Sequence, residues 1–124
     1  MIYGHGVDVT EVARIAESLA RFGGRFVART FCEGEIAYCG AMATPAPHYA
    51  ARFAAKEAVA KAFGVGIGGQ VGWRDVEVTR DAEGRPSILL HGKARALAEM
   101  RGVTRVHLAL SHAAGFAWAS VILE

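Results

Sequence analysis

A chain of 124 residues has room for one hydrophobic core, and we expect a single domain over residues 1–124. A composition of 52% hydrophobic and 21% charged residues excludes an intrinsically disordered protein. The formal charge of +2 permits an acidic partner or a phosphate ligand, and no stretch has the length of a membrane span. Since the first residues also lack a targeting signal, we expect a cytosolic protein with no membrane or nucleic-acid partner.

The chain begins with a predicted strand followed by a predicted amphipathic helix. Residues 2–9 form a short strand interrupted by two glycines, and Thr10 is the expected N-cap of a helix that has Glu11 in its first turn. Apolar residues recur at helical spacing as far as Phe22, and Gly23-Gly24 ends the helix.

A long helix is predicted in the middle of the chain. One or two short helices around Gly34 occupy residues 25–42, and Pro47 then begins a helix that runs to Phe63. A helix that is apolar on nearly all sides should be buried. One side carries alanines small enough for another backbone to approach, which, with the apolar composition, favours a subunit interface. The bulky side consists of Tyr49, Phe53, Val59 and Phe63, and the alanines stand at positions 51, 54, 55, 58 and 62.

The second half of the chain predicts two hairpins separated by a helix. A glycine-rich segment, residues 64–72, precedes the first hairpin, and a tight turn at residues 113–115 closes the second. This order of elements indicates an α+β domain with a mainly antiparallel sheet and one long central helix. The predicted elements are strands at 73–80 and 87–91, a helix at 93–100, and strands at 104–112 and 116–123.

Two acidic residues and a lysine are candidates for a metal–phosphate site. Asp8 ends the first strand, and Glu57 lies on the long helix one turn before Lys61. Mg²⁺ prefers one or two carboxylates and completes its shell with waters and substrate phosphate oxygens. The alternative is structural, with Asp8 beside a helix N-terminus and a helical Glu57–Lys61 ion pair contributing about 0.2–0.5 kcal/mol. The residues alone leave both interpretations open.

The other candidates have weaker local signals. Gly64 and Gly66 belong to a segment that is either a flexible connector or a backbone surface for a nucleotide, and it matches neither a dinucleotide nor a Walker pattern. Ser111-His112, at a strand end, is either structural or a phosphate-holding pair. No two histidines have the spacing of a zinc site, and Cys32 and Cys39 fit neither a metal motif nor a disulfide framework.

Two segments resemble the signatures of the phosphopantetheinyl transferase superfamily. Gly6-Val7-Asp8, followed by Arg14, resembles the first motif, and residues 53–62 (FAAKEAVAKA) resemble the second at every defining position. The resemblance continues through Gly84-Arg85-Pro86 and Leu110-Ser111-His112 to the short holo-acyl-carrier-protein synthases of that superfamily. It implies a phosphopantetheinyl-transferase-like fold and a homotrimer with active sites between neighbouring subunits.

The resemblance also implies a reaction and a catalytic set. The 4′-phosphopantetheine group of coenzyme A would pass to a serine of apo acyl carrier protein, with release of adenosine 3′,5′-bisphosphate. Asp8 and Glu57 would hold Mg²⁺, and Lys61 would contact the pyrophosphate and assist the leaving group. Either Glu57 or a metal-bound water would take the serine proton. Carriers of fatty-acid synthesis and of polyketide synthesis both fit.

Further roles follow by position in the same resemblance. Arg52 and the Ser111-His112 pair, the latter from an adjacent subunit, would reach the nucleotide phosphates of coenzyme A, and Gly64 and Gly66 would lie along it. The acidic helix of the carrier protein would face the basic residues of the first helix and its end. These are Arg14, Arg21 and Arg25.

Two departures from the family pattern and two rival functions accompany this interpretation. His5 replaces an aliphatic residue of the first motif, and residues 40–48 are poor in the basic residues that relatives often place there for nucleotide phosphates. One rival is a Mg²⁺-dependent nucleotide pyrophosphohydrolase that uses the same acids. The other is a non-catalytic coenzyme A-binding module, which does not explain why Asp8, Glu57 and Lys61 are all present.

Overall fold

The structure is a computed structural model that describes all 124 residues. It contains five strands and five α-helices, with a short 3₁₀ turn at Trp73–Asp75. No helix combines the length and the hydrophobicity needed to cross a membrane. The elements in chain order are β1 (Gly4–Glu11), α1 (Val12–Phe22), α2 (Gly24–Thr30), α3 (Glu33–Gly40), α4 (Pro45–Phe63), β2 (Val76–Arg80), β3 (Pro86–Leu90), α5 (Gly92–Met100), β4 (Val106–Ala113) and β5 (Phe116–Leu123).

Both sheets are antiparallel, so the predicted α+β architecture with a long central helix is confirmed. The larger sheet has the order β1-β5-β4, and β2 and β3 form a separate two-stranded sheet. Helix α4 packs along β1 and β5 and buries its apolar residues between the two sheets and the other helices. The first and last thirds of the chain therefore meet on α4, which brings β1 close to the middle of the helix.

The alanine side of α4 packs against the glycines of β1. A Cβ atom on Gly6 would lie 2.1 Å from the carbonyl oxygen of Ala58, and one on Gly4 would lie 2.0 Å from that of Ala62. The two backbones can approach this closely only because β1 has no side chain at these two positions. The close backbone approach predicted from the alanines occurs within the chain, so the use of these alanines as an argument for a subunit interface is wrong.

We expect Gly6→Ala to destabilise the fold by about 1–3 kcal/mol, because the methyl group would separate β1 from α4 or distort both. Denaturant unfolding of the two proteins measures this difference. Gly24→Ala is the matched control, since no atom lies within 4 Å of a Cβ there, and it should change stability by less than about 1 kcal/mol. Equal stability of Gly6→Ala and wild type would contradict the packing described here.

A fully buried ion pair joins α3, α4 and β2. The side chains of Lys56 and Glu35 have no exposed surface, and the Lys56 Nζ donates to Glu35 Oε1 over 2.7 Å. Glu35 also accepts the backbone N–H groups of Cys32 and Val78, at 2.8 and 2.9 Å. The Lys56 Nζ also donates hydrogen bonds to the backbone carbonyls of Trp73 and Val76. Lys56 and Arg52 are both buried, although lysine and arginine are mostly surface residues.

Several predicted boundaries at the start of the chain are also wrong. Thr10 is not a helix cap but a buried residue of β1, and Glu11 is the last residue of that strand. The strand extends because both residues pair with β5, opposite Ala117 and Phe116. The helix follows directly at Val12.

Other boundaries shift for local reasons. The break between α2 and α3 falls at Phe31 and Cys32 rather than Gly34, because both take extended backbone conformations. The long helix begins at Pro45, two residues before the predicted Pro47, since proline suits the first turn of a helix. Residues 73–75 form a 3₁₀ turn instead of the start of a strand.

Candidate functional site

The predicted metal–phosphate residues converge on one cleft. Asp8, Glu57 and Lys61 line a cavity of about 320 Å³ between β1, α1 and α4, which we call the carboxylate cleft. Asp8 reaches it because Gly6, Asp8 and Thr10 share the face of β1 that packs on α4. The other residues that line the carboxylate cleft are Val9, Thr10, Arg14, Ile15, Ser18, Phe26 and Phe53.

Hydrogen bonds hold Asp8 in a defined orientation. Thr10 Oγ1 donates to Asp8 Oδ2 over 3.0 Å, and Lys61 Nζ donates to Asp8 Oδ1 over 2.9 Å. Lys61 also donates to the carbonyl of Val7 over 3.2 Å. The Asp8 side chain is 14% exposed and that of Lys61 is 53% exposed, so the lysine lies at the mouth of the cleft.

Lys61 therefore pairs with Asp8 rather than with Glu57. The helical Glu57–Lys61 ion pair, one of the two interpretations of the sequence, is absent from the salt bridges of the structure. Glu57 is left without a direct cationic partner on the edge of the cleft. The two carboxylates and the ammonium group form a tertiary cluster, as a phosphate-handling site requires.

Glu57 has the perturbed ionisation expected of a group in such a cluster. Partial burial raises the pKa of Glu57, the negative charge of Asp8 raises it further, and Lys61 opposes these effects. The repulsion between the two carboxylates is the interaction that a divalent cation between them would remove. The oxygen donors of this cleft thus fit Mg²⁺, which takes one or two carboxylates from the protein.

A second cavity, of about 540 Å³, contains the predicted nucleotide-binding residues and is strongly basic. Arg52, Ser111 and His112 line it together, and so do His48 and Arg80. We call this the basic cavity. Partial burial lowers the pKa of His48, and the charges of Arg52, Arg80 and His112 lower it further, which shows that these cationic groups are close together.

Arg52 has an unused donor in this region. The residue is 3% exposed, its Nη1 donates to the carbonyl of His48 over 3.2 Å, and its buried Nε has no hydrogen-bond partner. The guanidinium groups of Arg52 and Arg80 lie 4.3 and 4.9 Å from the ring centroid of Tyr38. Arg52 is therefore held by His48 and Tyr38 at the wall of the basic cavity.

Ser111 and His112 do not present their side chains to the same side. They are consecutive in β4, where Ser111 pairs with the exposed Trp118 and His112 pairs with the buried Ala117. Alternation along the strand therefore directs Ser111 to the outer face of the sheet and His112 to the α4 face. Neither residue lines the carboxylate cleft of its own chain.

Three of the predicted basic residues lie on one surface next to the carboxylate cleft. Arg14 lines the cleft itself, Arg21 is exposed and pairs with Glu17 at 3.6 Å, and Arg25 lines a neighbouring cavity of about 270 Å³ with Arg29. Ser18 and Phe26 line both cavities, so the two cavities adjoin. We call Arg14, Arg21, Arg25, Arg29 and the half-exposed Phe22 the arginine surface.

The two predicted loop glycines lie outside these cavities. Gly64 is the C-cap of α4 with φ of 78°, a left-handed conformation that favours glycine. Gly66 is exposed with no atom within 4 Å of a Cβ position. Neither residue lines the carboxylate cleft or the basic cavity, so their predicted contact with coenzyme A stays a prediction.

Sequence analysis missed His48, Arg80 and Arg29. His48 comes directly after the prolines of a segment in which we looked only for lysine and arginine, and Arg80 ends a strand far from any motif. A local signal existed only for Arg29, which follows Arg25 by one helical turn.

The chain is similar in sequence and in fold to known proteins. A family model described as the 4′-phosphopantetheinyl transferase superfamily matches residues 4–117. The holo-[acyl-carrier-protein] synthase of Koribacter versatilis is 51% identical over 124 residues, which is 100% of this chain and 99% of the relative. The crystal structure of the Neisseria meningitidis holo-[acyl-carrier-protein] synthase has a TM-score of 0.92 at 35% identity and covers 100% of this chain and 99% of its own. The crystal structure of the Helicobacter pylori holo-[acyl-carrier-protein] synthase in complex with coenzyme A has a TM-score of 0.85 at 30% identity, and the match covers 97% of this chain and 99% of that one.

Proposed function

Because the chain belongs to the 4′-phosphopantetheinyl transferase superfamily, we propose that its carboxylate cleft transfers the 4′-phosphopantetheine group of coenzyme A to a serine of apo acyl carrier protein. The serine oxygen bonds to the β-phosphorus of coenzyme A, the pyrophosphate link breaks, and adenosine 3′,5′-bisphosphate leaves. The observation that carries the proposal is the meeting of Asp8, Glu57 and Lys61 in one cleft.

The residues of the cleft have separate tasks. Asp8 and Glu57 would hold Mg²⁺, which neutralises charge on the pyrophosphate. Thr10 fixes the Asp8 carboxylate through its hydroxyl. Lys61, at the mouth, offers its ammonium group to the phosphate that becomes the leaving group. Among the groups of this chain, Glu57 is the carboxylate that would also lie close enough to accept the serine proton, since it lines the cleft beside Asp8 and Lys61.

The basic cavity would hold the nucleotide part of coenzyme A. The pyrophosphate and the 3′-phosphate of coenzyme A are negatively charged. Arg52 and Arg80 supply positive charge and His48 and His112 supply further donors, from the three elements α4, β2 and β4. Arg80, from β2, and His48, the one basic side chain within residues 40–48, would compensate for the absence of lysine and arginine in that segment. The position of Arg52, Ser111 and His112 on one cavity wall supports this role.

The carrier protein would dock on the arginine surface. The enzymes of this family act on a carrier protein that presents an acidic helix. Arg21, Arg25 and Arg29 offer the complementary positive charge. The half-exposed Phe22 adds an apolar contact. Because this surface adjoins the carboxylate cleft, a carrier bound here could place its serine beside Asp8 and Glu57.

Charge reversal on this surface should weaken carrier recognition and spare coenzyme A. We expect Arg21→Glu combined with Arg25→Glu to raise the KM for the carrier at least about tenfold, equivalent to roughly 1.4 kcal/mol. Both residues lie outside the carboxylate cleft, so the affinity for coenzyme A, measured by calorimetry, should stay within about twofold. Arg95→Glu, on the exposed face of α5, is the control. A double variant that keeps its carrier KM but loses coenzyme A affinity would reverse the assignment.

We also propose a homotrimer in which each site is shared by neighbouring subunits. The outer face of the larger sheet has no covering element, and Val7, Val9 and Trp118 on it are 49%, 41% and 44% exposed. His5 lies on the same face, opposite Ile122. An apolar sheet face of this kind is typical of a subunit interface. Since the carboxylate cleft and the basic cavity are separate within one chain, a neighbour's basic cavity would complete each cleft.

One assay tests the proposed reaction. The protein is incubated with apo carrier protein, coenzyme A and Mg²⁺, and intact mass spectrometry should show the carrier gaining one phosphopantetheine group. Adenosine 3′,5′-bisphosphate should accumulate only when the carrier is present. Its release from coenzyme A alone would instead support the pyrophosphohydrolase.

A further inference from the structure

A cluster of three side chains with metal-binding chemistry lies outside the two cavities of the proposed reaction. The Cys32 thiol, the Glu77 carboxylate and a ring nitrogen of His91 have their ligand atoms all within 4.8 Å of one another. The residues come from three places in the fold, the N-cap of α3, the strand β2 and the N-cap of α5. None of them lines the carboxylate cleft or the basic cavity, so the proposed reaction leaves this cluster without a role.

The backbone brings the three ligands together. Glu77 pairs with Leu89 in the small sheet, and His91, two residues further on, lies on the same side as Glu77. The His91 Nε2 is 2.8 Å from Glu77 Oε1, and the His91 N–H donates to the carbonyl of Asp75 over 2.7 Å. These contacts fix the imidazole beside the carboxylate at the edge of the sheet.

Helix α3 carries the cysteine to the same point. The Cys32 N–H donates to Glu35 Oε1 over 2.8 Å, which anchors the start of the helix on the buried Lys56–Glu35 pair. A Cβ on Gly34 would lie 2.8 Å from Glu77 Oε2, so the first turn of α3 rests directly on this carboxylate. The thiol therefore faces the Glu77–His91 pair as a consequence of the packing of the core.

The spacing and charge of the three atoms suit a tetrahedral zinc ion. In a tetrahedral site, zinc bonds of about 2.0–2.3 Å place neighbouring ligand atoms about 3.3–3.6 Å apart. The ligand atoms of this cluster are separated by 2.8 Å, for Glu77 and His91, to at most 4.8 Å, so small side-chain shifts reach the zinc spacing. A thiolate and a carboxylate together balance the two positive charges of the ion. Thiolate and imidazole ligands favour Zn²⁺ over Mg²⁺, which prefers oxygen.

We propose that Cys32, Glu77 and His91 form a zinc-binding site, with a water as the fourth ligand, that fastens the start of α3 to the small sheet and to α5. Without an ion the Cys32 thiol donates to the carbonyl of Arg74 over 3.3 Å. Burial raises the pKa of this thiol to about 11, so the bound ion displaces the thiol proton into solvent. The exposed edge of His91 gives the ion its entry.

The test is a zinc titration of metal-stripped, tag-free protein, followed by calorimetry in excess Mg²⁺ to occupy the carboxylate cleft. One equivalent per chain should bind, and Co²⁺ in its place should give thiolate-to-cobalt charge-transfer absorption. Cys32→Ser and His91→Gln should each weaken zinc at least about tenfold, since even outer-shell substitutions cost this much. Zinc should raise the melting temperature of wild type and not that of Cys32→Ser.

Matched variants distinguish this site from other zinc ligands. Cys39→Ser removes the second buried thiol, and His107→Gln removes a histidine that pairs with Glu124 at 3.0 Å with no cysteine nearby; both should bind zinc as wild type does. Glu57→Ala should also leave the zinc equivalent in place. Serine is a good helix N-cap, so Cys32→Ser should fold. Absence of a tight equivalent in wild type, equal affinity in Cys32→Ser, or loss of the equivalent in Glu57→Ala would each overturn the proposal.

Discussion

Asp8→Ala and Glu57→Ala are each expected to reduce phosphopantetheine transfer below about a tenth of the wild-type rate without unfolding the protein. A Mg²⁺ ion held by two protein carboxylates should not remain in place after the loss of one of them. Glu57→Gln should be almost as damaging, because the amide keeps the shape of the side chain but loses its charge. The measurement is the initial rate of holo-carrier formation at saturating Mg²⁺.

Two controls accompany these variants. Glu99→Ala removes an exposed carboxylate of α5, outside both cavities, and should keep full activity. Chelation of divalent cations should stop the wild-type reaction, and added Mg²⁺ should restore it. Either alanine variant retaining more than about a tenth of the activity would show that the carboxylate cleft does not hold the metal.

Glu35→Ala is expected to destabilise the protein by about 3–5 kcal/mol, the cost of leaving one charge of a buried pair without its partner. Lys56 would remain fully buried, and the backbone N–H groups of Cys32 and Val78 would lose their acceptor. A loss of this size is a large part of the total stability of a small domain. Denaturant unfolding followed by circular dichroism measures it.

An exposed ion pair provides the control for this measurement of stability. Glu99→Ala breaks an ion pair with Arg95 in which the side chains are 72% and 68% exposed, and it should cost at most about 0.5 kcal/mol. Glu35→Leu combined with Lys56→Met removes both buried charges and should recover part of the loss. If Glu35→Ala were as mild as Glu99→Ala, the buried pair would not stabilise the core.

Periodicity and turn residues predicted most of the fold. The long helix ends at Phe63 as expected because Gly64 takes the left-handed cap, and β5 has the predicted bounds of Phe116–Leu123. The errors arose where tertiary contacts override local preference. Thr10 has the chemistry of a helix cap, but pairing with β5 keeps it in the strand. Lys56 has the sequence pattern of a surface residue, but Glu35, from another helix, makes its burial possible.

The candidate site divides in the same way. The second motif identified Glu57 and Lys61, and the first motif identified Asp8, because these features are local in sequence. The prediction that Asp8 ends its strand is wrong, since β1 continues to Glu11. The partner of Lys61 could not be predicted, since its contact with Asp8 depends on the close approach of α4 to β1. The zinc cluster is also invisible in the sequence. Its three ligands have no motif spacing and meet only after the small sheet has formed.

The proposed division of the site between subunits leads to one decisive measurement. Glu57→Ala removes a residue of the carboxylate cleft, and His112→Ala removes one of the basic cavity, so each trimer alone should have little activity. If equal amounts of the two variants are unfolded together and refolded, about three quarters of the trimers contain both variants. In each of these mixed trimers, one of the three sites combines an intact carboxylate cleft with an intact basic cavity. Activity should therefore return to about a quarter of wild type, in a particle of about three times the 13.2 kDa chain mass. No recovery on mixing, or a monomer with full activity, would contradict a site shared between subunits.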